Sequence, residues 1–239
     1  TGGNPGSYCW SKYSGNLPDG LTLSPAGVIA DIPQTVGNFT FTVQLGSSCQ
    51  NPAVVARQQY TIIVYPSLSI VTNIVESGVV GSDYSQPLLA TGGNGSYTWS
   101  IAGALPPGLT LSAGVISGTP LSGGDYVITA RVSDSQNQAA TTTKQFTINV
   151  AYPPLAITTA TLDNGTSGTA YNRTLSVTGG KTPYTYSITS GDLPAGIFLN
   201  STTGEISGIT SEVGSFSATI QVTDTQNSPE TASQTYSFN

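Results

Sequence analysis

The chain has 239 residues, and its 37% hydrophobic and 8% charged content is typical of a folded chain, not of a disordered one. The absence of histidine excludes Ser-His-Asp catalysis and zinc sites with histidine ligands. The net charge of −6 argues against nucleic acid as a partner, and no run of about 18 apolar residues is present that would favour membrane insertion.

The residue types predict an all-β chain. Val, Ile, Leu, Tyr and Phe are interleaved with Thr, which is the composition of strands. No stretch keeps a helical period of 3.6 residues over three turns. No basic or apolar leader begins the sequence, so we expect any signal peptide to have been removed already.

The first repeat, residues 1–65, contains three short motifs that return later in the chain. They are Tyr8-Cys9-Trp10-Ser11, Leu17-Pro18-Asp19-Gly20-Leu21-Thr22-Leu23 and Gly27-Val28-Ile29. A strand of alternating residues follows, in which Phe39, Phe41, Val43 and Leu45 share one face. The opening Thr1-Gly2-Gly3 aligns with Thr91-Gly92-Gly93, so this repeat has no counterpart of residues 67–90. We expect that stretch to hold the first two strands of the unit.

The two cysteines, Cys9 and Cys49, both belong to the first repeat. A bond between them would close a loop of about 40 residues and stabilise the fold by roughly 4 kcal/mol. We therefore predict a Cys9–Cys49 disulfide, formed in an oxidising compartment. Free thiols and a bond between chains are the alternatives.

The second repeat, residues 66–152, and the third, residues 153–239, match each other more fully. Tyr97-Thr98-Trp99-Ser100-Ile101 returns as Tyr184-Thr185-Tyr186-Ser187-Ile188, and the offsets between repeats run from 86 to 90 residues. Tyr65-Pro66 and Tyr152-Pro153 mark the two junctions. A unit of about 87 residues with short strands and Gly, Pro and Asn turns predicts a Greek-key β-sandwich.

The second repeat carries the motifs T-G-G, Y-T-W-S-I, L-P-P-G-L-T-L, G-V-I-S-G-T-P, G-D-Y and V-x-D-S-Q in this order. This order resembles the Ig-like repeat family of bacterial and archaeal surface proteins, which is related to the cadherin-like repeats of dystroglycan. The resemblance implies an extracellular β-sandwich array that acts as a stalk, spacer or adhesive surface. It implies no catalytic residues, and we expect neither enzymatic activity nor a cofactor.

We therefore expect an all-β tandem array of three Ig-like Greek-key β-sandwiches, the first lacking its two N-terminal strands. Such a gap exposes apolar core and an unpaired sheet edge, so a neighbouring chain or an upstream segment is expected to fill it. Repeated head to tail between subunits, that contact produces a filament on the cell surface. The side chains expected to be exposed and to form the assembly contact are Tyr8, Trp10, Phe39, Phe41, Val43 and Leu45.

A carbohydrate- or calcium-binding surface module is the alternative function, with surface glycans as the partner in the first case. Asp134 and Asp224 follow equivalent strands, but turn-capping aspartates would fit the same pattern. Trp99 and Tyr186 fit core aromatics as well as sugar platforms. Five N-x-S/T sequons permit N-glycosylation in a secreted protein, at Asn38, Asn94, Asn164, Asn172 and Asn200.

Overall fold

The computed structural model describes residues 8–49, 53–136 and 139–238. Within these ranges the chain forms 22 strands and no helix, which confirms the all-β prediction. The described part of the chain therefore offers no helix that is long and apolar enough to cross a membrane. The Thr1-Gly2-Gly3 motif lies outside the described residues.

The third repeat has the strand order of the immunoglobulin constant fold. One sheet has the order β18-β21-β22, a second has the order β16-β20-β19, and β15 pairs with β17. In immunoglobulin lettering these are the C-F-G sheet and the A-B and B-E-D pairings of the opposite sheet. The strands are β15 (Ala156–Ile157), β16 (Ala170–Thr174), β17 (Val177–Thr178), β18 (Thr185–Gly191), β19 (Ile197–Leu199), β20 (Glu205–Ile209), β21 (Phe216–Thr223) and β22 (Thr231–Phe238).

The second repeat has the same plan with one more short strand. Its sheets have the orders β10-β13-β14-β7 and β11-β12-β8, and β6 pairs with β9. Strand β7 runs parallel to the end of β14, with Gly78 opposite Val150. The strands are β6 (Ser69–Ile70), β7 (Gly78–Val79), β8 (Tyr84–Pro87), β9 (Ala90–Thr91), β10 (Tyr97–Ala102), β11 (Leu109–Ser112), β12 (Val115–Gly118), β13 (Gly124–Asp134) and β14 (Thr141–Ala151).

The first repeat contains a C-F-G sheet and a D-E hairpin. Strands β1, β4 and β5 form the sheet, and β2 pairs with β3. Among the described residues no strand takes the place of A or B, in agreement with the expectation that the first two strands are missing. The strands are β1 (Cys9–Gly15), β2 (Thr22–Leu23), β3 (Ile29–Ala30), β4 (Gly37–Gly46) and β5 (Val54–Val64).

The chain divides into two compact units. The first holds the described residues up to Asn73 together with Pro87–Ala102 and Thr129–Gln145. The second holds Ile74–Gln86, Gly103–Ile128 and the described residues from Phe146 onward. The repeat boundaries at residues 65 and 152 stay a prediction.

The alternation of apolar and polar residues along the F strands, β13 and β21, places their apolar side chains in the core. Ile128, Ala130 and Val132 on β13 are fully buried, and so are Ala218, Ile220 and Val222 on β21. In the third repeat these side chains join one cluster with Leu155, Leu175, Tyr186, Ile197, Ile206, Tyr236 and Phe238. Burial of this size, at roughly 25 cal/mol per Å² of apolar surface, is the main term that stabilises the sandwich.

The L-P-x-G motif turns the chain into strand D, and its glycine is required by the backbone. Gly196 has a φ of 89°, and a Cβ added there would lie 2.2 Å from the carbonyl oxygen of Ile209. Gly20 and Gly108 share the positive φ and the close approach to a carbonyl. Only glycine meets both conditions.

Threonine pairs occupy the outer faces of the C-F-G sheets. The hydroxyl oxygens of Thr40 and Thr61 lie 3.0 Å apart across β4 and β5. Those of Thr219 and Thr235 lie 2.9 Å apart across β21 and β22. Such cross-strand pairs contribute to sheet stability without using charge.

Candidate interaction site in the first repeat

A groove of about 370 Å³ opens on the inner face of the first repeat. Strands β1, β4 and β5 supply one wall, and the β2–β3 hairpin supplies the other. We call it the open groove, and the residues that line it are Trp10, Leu23, Gly27, Ile29, Phe41, Val43, Tyr60 and Ile62, with Thr61 between the last two bordering it. Most of the residues that line it are apolar, and exposed apolar surface is one mark of a protein-binding site.

Strand β3 shows why the groove is open. Ile29 on β3 is 36% exposed, whereas its counterparts Ile116 and Ile206 are 0% exposed. Leu21 is half-buried, whereas the matching Leu109 and Ile197 are buried. The same sequence motif therefore buries its side chains in two repeats and leaves them partly exposed in the first.

The G strand shows the same difference. Tyr60 pairs with Phe41, and Tyr236 holds the equivalent position opposite Ala218. Tyr236 is 2% exposed and donates a hydrogen bond to the carbonyl oxygen of Thr159, 2.8 Å away, on the segment that follows strand A. Burial raises its pKa to about 12. Tyr60 is 49% exposed because no described segment covers it.

The outer edge of β3 presents backbone groups that the other repeats pair with strand B. In the third repeat β16 runs antiparallel to β20, with Arg173 opposite Ile206 and Tyr171 opposite Gly208. In the second repeat β8 lies beside β12 in the same place. No described strand of the first repeat lies beside β3 on that edge. An unpaired edge of this kind is a template for another strand.

The predicted assembly residues divide into two groups. Phe41 and Val43 are 1% and 3% exposed, so the expectation that they would be exposed is wrong. The β2–β3 hairpin already folds over the centre of β4 and shields them. Tyr8, Trp10, Phe39 and Leu45 are half-buried. The exposure lies instead at Ile29 and Tyr60, and the role of all these residues in assembly stays a prediction.

Sequence reasoning did not single out Ile29 or Tyr60. The sequence nevertheless contained a signal for Ile29. Gly27-Val28-Ile29 aligns with Gly114-Val115-Ile116, so Ile29 matches the apolar Ile116, which strand B covers in the second repeat. Trp10 and Gly27 also form a pair that the sequence did not reveal. A Cβ on Gly27 would lie 2.6 Å from the indole ring, so this glycine gives the ring room at the groove wall.

The disulfide predicted from the sequence is present. Cys9 and Cys49 are bonded, and their Cα atoms lie 5.0 Å apart. Cys9 begins strand β1, and Cys49 lies in the turn that follows β4. The bond therefore ties strand C to the turn between strands F and G, next to the groove.

Asp134 and Asp224 hold that same turn in the other two repeats. The Asp224 carboxylate accepts hydrogen bonds from the backbone N–H groups of Lys181, Gln226 and Glu230, at 2.9, 3.3 and 2.8 Å. Burial raises its pKa, but these bonds and one from the Gln226 side chain outweigh burial, so the pKa lies below its ordinary value. Asp134 is bonded in the same way and its pKa is also lowered. Both side chains are turn caps.

Other acidic and aromatic side chains of the second and third repeats also have structural partners. Asp163 forms an exposed ion pair with Arg173, and Asp83 accepts a hydrogen bond from Thr119. Within the described ranges no group of three or more Cys, Asp or Glu side chains could hold a metal ion. Tyr97 donates a hydrogen bond to the carbonyl oxygen of Gly92, 2.8 Å away, and Tyr184 repeats this bond with Gly179. Trp99 is half-buried and Tyr186 is buried.

The five sequons lie on different strands and loops. Asn38, Asn164, Asn172 and Asn200 are exposed, and Asn94 is half-buried. The side-chain oxygen Oδ1 of Asn200 accepts hydrogen bonds from the backbone N–H groups of Thr202 and Thr203. The side-chain Nδ2 of Asn94 donates to the hydroxyl oxygen of Ser135. Glycosylation at these positions stays a prediction.

The chain is similar to adhesins and to cadherin structures. It is 30% identical to the "Serine-rich adhesin for platelets" of Staphylococcus aureus strain MSSA476, over 94% of this chain and 10% of that protein. It is also 30% identical to the protein of the same name from strain MRSA252, over 94% of this chain and 17% of that protein. The chain thus spans about a tenth to a sixth of the length of these curated relatives.

Among solved structures, mouse cadherin-23 EC22-24 matches with 17% identity and a TM-score of 0.39, over 97% of this chain and 85% of that one. Human CDH23 EC21-23 matches with 15% identity and a TM-score of 0.38, over 99% and 89%. A family model described as "Putative Ig domain" matches residues 47–151 and 153–239. The two ranges that this family model matches cover most of the chain and agree with the strand order of the repeats. The chain therefore belongs to this Ig-domain family.

Proposed function

We propose that this chain is a non-enzymatic structural or adhesive module of an extracellular surface protein or filament. Its first repeat is completed by a β-segment from a neighbouring chain or from an upstream segment. The observation that carries the proposal is the uncovered edge of β3, beside which Ile29 is 36% exposed while Ile116 and Ile206 are fully buried. This apolar position is buried in the second and third repeats, so we expect it to be buried in the first repeat as well when the protein functions.

Three further features support this proposal. Family membership and the likeness to adhesins favour a surface location and protein partners. The Cys9–Cys49 bond suits an oxidising compartment outside the cytosol. The acidic side chains that would suggest calcium binding are engaged as turn caps or in an ion pair.

Limited proteolysis of the full chain tests the proposal. Thermolysin suits the test because the chain has only six Lys and Arg residues for trypsin to cleave. We expect the first cuts between residues 20 and 40, at the hairpin that lacks strand B, while the third repeat stays intact. Under conditions that assemble the native surface structure, this segment should become resistant. A dilute monomer whose first repeat resists cleavage as long as the third would contradict the proposal.

A further inference from the structure

We propose that the segment after β5 is a hinge on which the first repeat moves, whereas the segment after β14 is a stiff connection. The two segments are residues 65–68 and 152–155, and both have the pattern Tyr-Pro-x-Leu. The shared pattern predicts equal stiffness, but the contacts and residues of the two segments differ at four places. This inference goes beyond the proposed function, because it holds whether or not a strand fills the open groove.

Both segments are anchored in the same way to the repeat that follows them. The Gly93 N–H donates to the carbonyl oxygen of Pro66, and the Gly180 N–H donates to that of Pro153, each over 2.8 Å. Each proline is therefore bound to the turn between strands B and C of the next repeat. The differences must arise elsewhere in the two segments.

The tyrosine that begins each segment shows the first difference. A Cβ on Gly123 would lie 2.4 Å from the ring of Tyr152, so the ring lies directly on this glycine. Hydrogen bonds from the Ser122 side chain and from the Gly123 N–H to the Tyr152 hydroxyl oxygen lower its pKa. In the first repeat Val36 stands in place of Gly123, and a valine side chain occupies the space that the ring would need. Tyr65 is 39% exposed.

The strand that leads into each segment shows the second difference. Strand β7 runs beside the end of β14, and the Val80 N–H donates to the carbonyl oxygen of Ala151, 2.9 Å away. On its other side β14 pairs with β13. The end of β5 pairs with β4, with Gly37 opposite Val64, and no described strand lies on its other side. Val64 is therefore held on one side, whereas Ala151 is held on two.

The third and fourth differences stiffen the second segment itself. Pro154 stands where the first segment has Ser67, and a second proline fixes one more φ angle. The N–H of Leu155 donates to the Glu230 carboxylate, 3.2 Å away. Ala140 holds the position of Glu230 in the second repeat, because each donates its N–H to the aspartate of its turn. Alanine offers no such acceptor to the first segment.

All four differences act in the same direction. A hinge is a short stretch that absorbs changes of φ and ψ while the elements on both sides stay intact. Val64 still belongs to β5, and Pro66 is already bound to the second repeat, so the free rotations centre on Tyr65. Neighbouring domains move relative to each other unless contacts prevent it. Such contacts are present around Tyr152 and are lacking around Tyr65.

Residual dipolar couplings of the full chain in a weakly aligning medium test the proposal. The couplings of the second and third repeats should fit one alignment tensor. Those of β4 and β5 should give a tensor of at most about half that magnitude, because hinge motion averages them. Heteronuclear NOE values as high in β4 as in β21 should show that the first repeat moves as a folded body. One tensor for all three repeats, or a separate one for the third, would overturn the inference.

A matched set of variants locates the hinge. Val36→Gly makes room for the ring of Tyr65 and should raise the alignment of the first repeat. Gly123→Val displaces Tyr152 and should lower the alignment of the third repeat below that of the second. Val213→Gly is the control, because it makes the same exchange at an equivalent position that is 84% exposed and lies outside both segments. It should change neither value.

The backbone accepts valine at the position of Gly123, since Val36 and Val213 stand there in the other repeats, and amide shifts in β13 verify the fold. Tyr152→Ala removes the ring without adding bulk and should act as Gly123→Val does. If Val36→Gly, Gly123→Val and Tyr152→Ala all leave the alignment unchanged, the assignment of hinge and stiff connection is wrong.

The two proposals fail separately. If all three repeats share one tensor although thermolysin cleaves the first repeat before the third, this inference is wrong and the proposed function survives. If the first repeat aligns weakly but resists thermolysin as long as the third does, the hinge survives and the proposed function is wrong.

Discussion

Among single residues, those that hold the turn between strands F and G differ chemically from one repeat to another. In the second and third repeats the carboxylate of a buried aspartate accepts hydrogen bonds from backbone N–H groups of this turn. In the first repeat Ser47 takes the place of this aspartate, and its N–H still donates to the carbonyl oxygen of Ala53, 3.0 Å away. The Cys9–Cys49 bond lies in this same turn. We infer that the disulfide holds the turn that a carboxylate holds elsewhere.

The carboxylate caps make stability depend on pH. The folded-state pKa of Asp224 lies below its ordinary value, so the unfolded state binds more protons in the window between the two. The stabilisation is fully present above the unfolded pKa of about 3.9 and is lost as pH falls through the lower folded value. Asp224→Ala should therefore lower the melting temperature at pH 7, by an amount that shrinks below about pH 4.

The control for this experiment is Asp192→Ala, which removes an exposed loop carboxylate from the same repeat. We expect it to leave the melting temperature nearly unchanged at both pH values. A loss for Asp224→Ala that is equal at pH 7 and at pH 2.5 would show that the carboxylate charge plays no part in the cap.

The disulfide prediction concerns the first repeat alone. Cys9→Ala combined with Cys49→Ala should destabilise this repeat by about 4 kcal/mol, the value expected for a closed loop of 40 residues. Trp10 reports this unfolding in a Trp99→Phe background, because the chain has two tryptophans and this change leaves only Trp10. Hydrogen exchange in the third repeat is the control and should not change. Two alkylatable thiols in the native chain would contradict the assignment.

At the scale of strands, the sequence predicted the long elements well and the edges poorly. Apolar residues alternate with polar ones along β13 and β21, because burial of one face requires a period of two along the strand. Phe41 and Val43 alternate in the same way on β4. The absence of the first two strands nevertheless predicted that they would be exposed. That error arose because the D-E hairpin covers them, and the position of a hairpin depends on contacts distant in sequence. The exposure of Ile29 likewise depends on a partner strand that the motif around it does not encode.

A pair of truncations compares the covered and the uncovered edge. Ile206→Ala removes a side chain that is 0% exposed and should cost about 2–5 kcal/mol of stability in the third repeat. Ile29→Ala removes one that is 36% exposed and should cost the first repeat only about 1 kcal/mol. Hydrogen exchange in increasing urea reports each repeat separately. Ile116→Ala is the control and should behave as Ile206→Ala does; an equal loss at Ile29 would contradict the open groove.

Over the whole chain, the internal repeats of the sequence carry most of the information about the fold. The motifs predicted Ig-like repeats, and the strand orders confirm this fold, including the missing A and B strands among the described residues of the first repeat. The sequence also left open whether Asp134 and Asp224 bind calcium or cap turns. Their backbone partners could not be read from the sequence, because Lys181 lies 43 residues from Asp224 along the chain.

The threonine pairs on the outer faces have a consequence for where such a molecule can work. Salt screens charges but does not screen a hydrogen bond between two neutral hydroxyl groups. With 8% charged residues, the chain should keep its melting temperature within a few degrees from fresh water to molar sodium chloride. Thr40→Glu combined with Thr61→Lys replaces one such pair with an ion pair and should make the first repeat less stable as salinity rises. We therefore expect a sheet joined by such neutral pairs to have almost the same stability at low and at high salt.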